Sequence, residues 1–324
     1  MDTIREKLSS YKPNIYCWNT SRLSEQFKTY DIEIGHPNIK IAILDSGCDY
    51  LHSELNDNIL INKSKSMIPY EENIEDYNGH GTAVISSIIG KKNVKGIAPA
   101  VSILSYKIVD KNGYGELRWT INAIKLAIQE NVHIINISYT SNKIDDIDMI
   151  YEYKEVVEEA INKGIYVICA AGNECKEIKK GSENLPIYLA EGIAIASTDY
   201  KGELSSFSNY GVGIDFSMPS GGFSQGFPSQ YGLVIVAKPR SMARLHLEDQ
   251  YQVPKDYTLT MGTSISSALF SGTIALLLSR YYRLYKKLPK RNEILSLVKL
   301  SGKQINRHYS MVEVNTYRAL NEIK

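Results

Sequence analysis

The sequence predicts an α/β fold: three layers, with a mainly parallel sheet flanked by helices. Three observations carry that expectation. Continuous apolar runs alternate with amphipathic stretches, each run ends at a turn signal, and the connections between them are short. A strand covered on both faces reads as an unbroken apolar run. Strand–helix–strand alternation is the signature of parallel βαβ units.

The first strand is the run Ile39 to Leu44, stopped by Asp45-Ser46-Gly47. A second spans Val101 to Val109 and ends at Asp110-Lys111-Asn112-Gly113. Val132 to Ile137, Ile165 to Ala171 and Gly192 to Ala196 supply three more. Between them, Ile121, Ile124 and Ile128 recur at helical spacing. Ile150, Tyr153, Val156, Val157, Ala160 and Ile161 mark a second helix face, closed by Gly164. Ser264 to Tyr282 is strongly apolar and helical, and Lys286 to Leu300 reads as a further helix opened by Pro289. Residues 221–257 are the least regular and read as an insertion within a single 1–324 domain.

Composition limits the function classes. The 324 residues carry 37 Lys+Arg against 36 Asp+Glu, a net charge of +1, so no basic excess marks a nucleic-acid binder. With 43% hydrophobic residues and balanced charge the chain is globular rather than disordered. No long apolar run suggests a membrane span, and the first residues lack the apolar core of a secretion signal. The expected location is the cytoplasm. Cys17, Cys48, Cys169 and Cys175 form no Cys-x-x-Cys pair and are read as buried reduced thiols. No cofactor is expected, and the oligomeric state stays open.

Reactive residue types stand at strand ends and helix starts, where open α/β sheets gather functional groups. Asp45 closes the first strand. His80, in Asn78-Gly79-His80-Gly81-Thr82, and Ser264, in Gly262-Thr263-Ser264, each open an apolar helix. A serine hydroxyl needs a base to take its proton, and histidine titrates near neutrality. The base needs a carboxylate to fix its tautomer, and a developing oxyanion needs preorganised donors. Asn173, just past a strand end, offers a side-chain amide. Taken singly, each has an ordinary reading: turn residue, helix-start histidine, N-cap serine, αL asparagine.

Together these residues resemble the subtilisin-like serine proteases. Ile43-Leu44-Asp45-Ser46-Gly47 is similar to that family's aspartate motif, Asn78 to Thr82 to its histidine motif, Ala170-Ala171-Gly172-Asn173-Glu174 to its oxyanion-hole motif, and Gly262-Thr263-Ser264 to its serine motif. The order Asp, His, Asn, Ser is the family's order. The resemblance runs from about residue 20 to about residue 285 and is supported by Gly96-Ile97-Ala98-Pro99. It implies a catalytic triad of Asp45, His80 and Ser264, with Asn173 in the oxyanion hole. It also implies an extended peptide bound between Gly113-Tyr114-Gly115 and Ser138-Tyr139-Thr140. Glu174, beside Asn173, is read either as attracting a basic side chain at the residue before the cut or as a solvated carboxylate. Tyr139 and Thr140 replace smaller or more flexible family residues, which suggests a tighter cleft.

The chain departs from the family at four places. Ala268 and Leu269 stand where a proline and often a histidine are usual. Lys91-Lys92-Asn93-Val94-Lys95 is short and basic where secreted members wrap a calcium ion, and Glu54 stands where they place a ligand aspartate. The expectation is that this strong calcium site is absent, and no metal site is assigned. Only 44 residues precede Asp45, too few for a signal and a large pro-domain, so the expectation is either that the domain folds unaided, which Met1 favours, or that this chain begins after processing. The 221–257 insertion lies just before Ser264 and is read either as a wall on one side of the cleft or as a surface loop. Small cytoplasmic relatives with these features remove leader peptides from ribosomally made, modified peptides such as lantibiotics, and that role is expected here. The alternatives are a broad intracellular degradative protease, an inactive binding scaffold, and an esterase. The last lacks a Gly-x-Ser-x-Gly elbow at Ser264.

Overall fold

The computed structural model describes residues 15–139, 146–179, 192–223, 229–306 and 310–324. Its centre is a nine-stranded sheet in the order β12-β13-β9-β7-β5-β4-β1-β3-β2. The strands are β1 (Lys40–Asp45), β2 (Lys65–Ser66), β3 (Ser102–Lys107), β4 (Ile134–Ile137), β5 (Tyr166–Ala170), β7 (Ile193–Thr198), β9 (Phe216–Pro219), β12 (Lys303–Asn306) and β13 (Met311–Glu313). The neighbours run parallel, except β12 and β13, which are antiparallel. Two small pairs stand apart: β6 (Glu177–Ile178) with β8 (Tyr210–Gly211), and β10 (Val234–Ala237) with β11 (Tyr257–Thr260).

The period-two alternation of a strand divides β1 between two cores. Ile41 and Ile43 face one core, which also holds Val84, Ile85 and Ile88 of the His80–Ile89 helix and Leu269, Phe270 and Leu276 of the Thr263–Tyr285 helix. Ala42 and Leu44 face the other, with Ile121 and Ile124 of the Leu117–Gln129 helix and Val156 and Val157 of the Ile147–Asn162 helix. Both faces are therefore covered, as the unbroken apolar runs require. The Thr263–Tyr285 helix is buried from Thr263 through Ser279, so its apolar character all round is that of a central helix. A Cβ on Gly272 would lie 2.0 Å from Ile97 Cγ2, so only glycine lets this helix approach the Ile97 turn.

Two readings are corrected. Residues 221–257 are not irregular throughout. They contain β10, the helix His246–Gln250 and the start of β11. Lys238 Nζ donates to Glu248 Oε1 at 2.7 Å inside this lobe, a buried ion pair that hides its order behind charged residues. The helix expected from Lys286 begins instead at Arg291, because Lys286 takes the left-handed conformation that ends the preceding helix.

Candidate active site

The carboxyl ends of β1, β4 and β5 and the starts of two helices carry the residues singled out from the sequence. Asp45 is the last residue of β1 and only 2% exposed. Its Oδ1 lies 2.8 Å from His80 Nδ1 and accepts the Ser46 N–H at 2.7 Å. His80 opens the His80–Ile89 helix, and 41% of its side-chain surface stays open. A Cβ on Gly81 would fall 2.1 Å from the Gly47 carbonyl oxygen. The glycine lets the first helical turn press against the Asp45-Ser46-Gly47 turn, and so brings the carboxylate and the ring together.

Asp76 is a buried carboxylate that sequence reasoning missed. It accepts from Ser46 Oγ at 2.9 Å, from the N–H groups of Asn78, Gly79 and Thr82, and from the Thr82 hydroxyl at 2.7 Å. It thus satisfies donors of the His80 helix start, which lacks a capping side chain at Gly79. An aspartate four residues ahead of a helix start was the available signal. Burial pushes the Asp76 carboxyl above its ordinary value, while these hydrogen bonds pull the other way. Burial pulls the His80 imidazole down, but the Asp45 charge and hydrogen bond, with Asp76 behind them, outweigh it. The net pKa lies above the ordinary histidine value.

Ser264 is the second residue of the Thr263–Tyr285 helix and is buried. Its hydroxyl donates to the Ser138 carbonyl oxygen at 3.1 Å rather than to His80. Ser138 sits just past β4, and its own hydroxyl joins Asn136 Nδ2 at 2.7 Å and Ser267 Oγ at 3.1 Å. This buried network fastens the β4 end to the serine-bearing helix. Asn173 follows β5 and is exposed. Its Oδ1 accepts from the Thr263 N–H at 2.9 Å and the Thr263 hydroxyl at 3.0 Å. With the oxygen held on Thr263, the amide nitrogen of Asn173 is the group left to donate outward.

Gly113 and Tyr114 are exposed, and Tyr139 is half-buried. Tyr139 Oη donates to the Gly115 carbonyl oxygen at 3.4 Å, so this side chain links the two segments. Thr140 lies outside the described residues. Glu174 is exposed, and its Oε2 accepts from Asn209 Nδ2 at 2.7 Å. Asn209, also missed, is fully buried and holds the Ala171-to-Lys176 turn through Ala171 O, Glu174 N and Lys176 N.

Cys48 is buried close to the site, and burial pushes its thiol up to about 12, the behaviour of an inert sulfur. Cys17 and Cys169 are buried as expected, but Cys175 is exposed. Among the described residues no group of His, Cys, Asp and Glu is arranged to hold a metal ion. No described helix is long and apolar enough to cross a membrane.

Comparison with known proteins gives the family of the chain. Residues 36–309 match the model of the subtilase family. The major intracellular serine protease of Bacillus subtilis strain 168 is 35% identical over 228 residues, covering 68% of this chain and 69% of that protein. Subtilisin NAT of Bacillus subtilis subsp. natto is 33% identical over 56% of this chain, which spans only 46% of that relative's length. Among solved structures, a lanthipeptide protease superposes with a TM-score of 0.86 at 27% identity, covering 95% of both chains. The nisin leader peptidase NisP from Lactococcus lactis shares the fold, with a TM-score of 0.78 at 21% identity over 94% of this chain and 93% of that one. The chain belongs to the subtilase family of serine proteases.

Proposed function

We propose that this subtilase is a narrow-specificity endopeptidase of the cytoplasm that removes leader peptides from ribosomally made, modified precursor peptides. The observation that carries the leader-peptide reading is the near full-length match to a lanthipeptide protease, over 95% of both chains. The cytoplasmic part draws on the likeness to an intracellular serine protease.

In the proposed mechanism Ser264 Oγ turns from the Ser138 carbonyl toward His80 Nε2. Hydrogen bonds of this kind are often loose until substrate arrives. His80 takes the hydroxyl proton as Ser264 Oγ attacks the peptide carbonyl carbon. Asp45, on Nδ1, fixes the tautomer and stabilises the imidazolium. The oxyanion receives the Asn173 amide and the Ser264 N–H at the positive end of its helix. His80 then gives its proton to the leaving amine, and water hydrolyses the acyl-enzyme by the same steps.

The substrate lies extended between Gly113-Tyr114-Gly115 and Ser138-Tyr139-Thr140. Tyr139 narrows that groove and favours small side chains above it. One Glu174 oxygen is tied to Asn209, and the other faces a cationic side chain at the residue before the cut. Mass spectrometry of a leader–core precursor and of a random peptide library tests the proposal. A single cut at the leader–core junction, after a basic residue, is expected. Cleavage at many unrelated sites would favour the second reading, a broad degradative enzyme, which the 35% identity to the major intracellular serine protease supports. A preference for acidic or large apolar residues before the cut would remove the role of Glu174.

A further inference from the structure

Lys107 is fully buried. It closes β3 and is paired in register with Asp45 at the end of β1. Paired residues of neighbouring parallel strands leave the sheet on the same face. Ile41, Ile43 and Ile103, at alternate positions before them, all face the core that packs against the His80–Ile89 helix. The ammonium therefore emerges one strand away from Asp45, on the side of the sheet that carries His80.

Its partners all belong to one loop. Lys107 Nζ forms an ion pair with Glu71, donates to the Glu75 carbonyl oxygen at 2.7 Å, and lies 4.9 Å from the centre of the Tyr77 ring. Glu75 and Tyr77 flank Asp76, which binds Ser46 Oγ and the Gly79 and Thr82 N–H groups. Ser46 Oγ in turn accepts the Gly81 N–H at 2.9 Å, and the Ser46 N–H holds Asp45 Oδ1. An unbroken set of contacts thus runs from the ammonium to both members of the Asp45–His80 pair. Burying an ammonium is costly unless it is fully paired, and a methionine would fill the same space without that cost.

We infer that Lys107 is a positioning residue for the Asp45–His80 pair, clamping the Glu71–Tyr77 loop so that Asp76 fixes the first turn of the His80 helix. The inference rests on reading Asp45, His80 and Ser264 as the catalytic triad. Lys107→Met, Glu71→Gln and the double variant are compared with the parent enzyme on one short peptide substrate. Active sites are counted by fluorophosphonate titration, so that unfolded protein does not enter kcat. Lys107→Met is expected to lower kcat per titrated site about 10- to 100-fold with KM little changed, the cost of a small misplacement of reacting groups. Glu71→Gln, at a partly exposed partner, is expected to lower kcat less. The double variant should be no worse than Lys107→Met, because both act through one clamp. A kcat per titrated site within about twofold of the parent in Lys107→Met overturns the inference, whatever happens to the melting temperature. Should Lys107→Met fail to fold, an unchanged kcat in Glu71→Gln overturns it. Ser264→Ala, run in parallel, separates the two levels. Near-parent activity in that variant removes the triad reading, and the role of Lys107 with it.

Discussion

Asp45 and Glu54 are both buried carboxylates, close together in the chain, yet their surroundings differ in kind. Glu54 is saturated. Its Oε2 accepts the Lys91 N–H at 2.6 Å and the Lys92 N–H at 2.7 Å, and its Oε1 accepts the Val94 N–H at 3.1 Å and the Tyr257 hydroxyl at 2.8 Å. Every partner is a fixed donor, and together they staple the 91–95 loop and β11 to one point. Asp45 spends Oδ1 on Ser46 and His80, and its buried Oδ2 has no protein donor among the described residues. One of its partners is a titratable ring with an open face. A carboxylate whose acceptor positions are filled by rigid donors holds structure. One that faces a histidine with a free second nitrogen is equipped for proton transfer.

The contrast is broken most severely at Asp45. Asp45→Asn is expected to lower kcat about 10⁴-fold, because an amide no longer fixes the imidazole tautomer, while the melting temperature changes little. Asn173→Ala comes next, with kcat lower by about 10²- to 10³-fold and KM nearly unchanged, if the amide meets charge only in the transition state. Steady-state kinetics on a short peptide reads both.

The pH profile sharpens the comparison further. In the proposed mechanism the neutral His80 ring is the base, and its pKa lies above the ordinary value. The acid limb of kcat/KM should therefore have its midpoint above about 6.5, the ordinary histidine value, with activity rising as pH rises through it. In residual Asp45→Asn activity that midpoint should fall, since burial then acts against the charged ring without the carboxylate to offset it. For stability the sign is opposite. A raised folded-state pKa contributes stability below the unfolded pKa, and that contribution is lost as pH rises through the folded value.

The smallest catalytic effect is expected at Glu54. Glu54→Gln should leave kcat per titrated site unchanged and cost about 1–3 kcal/mol in denaturant unfolding, since an amide nitrogen would meet backbone N–H groups. The same N–H groups point donors, not carbonyl oxygens, at the place where a calcium ion would need ligands. Chelation by EDTA should accordingly leave the melting temperature unchanged. A drop on chelation would place a cation elsewhere in the fold.

Much of this was legible in the sequence because its signals are local. The strand runs, the turn after Asp45 and the glycines around His80 are each written within a few residues. What was not legible depends on partners distant in the chain. Glu54 stands at a family ligand position, but its structural role was not legible, because nothing near it in the chain announces Lys91 to Val94 or Tyr257 as its donors. Asp76, Asn209 and Lys107 were overlooked for the same reason, since a buried polar group is recognised only by the groups that satisfy it. The lobe at 238–256 looked irregular because a few scattered apolar residues, Leu247, Tyr251 and Val253, pack it against β10 and β11 beside the buried Lys238–Glu248 pair, with no apolar periodicity to announce it. Cys175 is exposed because it sits on the turn beyond β5 with positive φ, a geometry that the scattered spacing of the cysteines does not reveal.

The central claim is that Asp45 and His80 activate Ser264. Its most direct test is peptide mapping of the folded protein after treatment with a fluorophosphonate, alongside a His80→Ala variant. The expected result is one adduct, on Ser264, that nearly disappears in His80→Ala. No adduct on Ser264 in folded protein, or equal labelling in the two proteins, would contradict it.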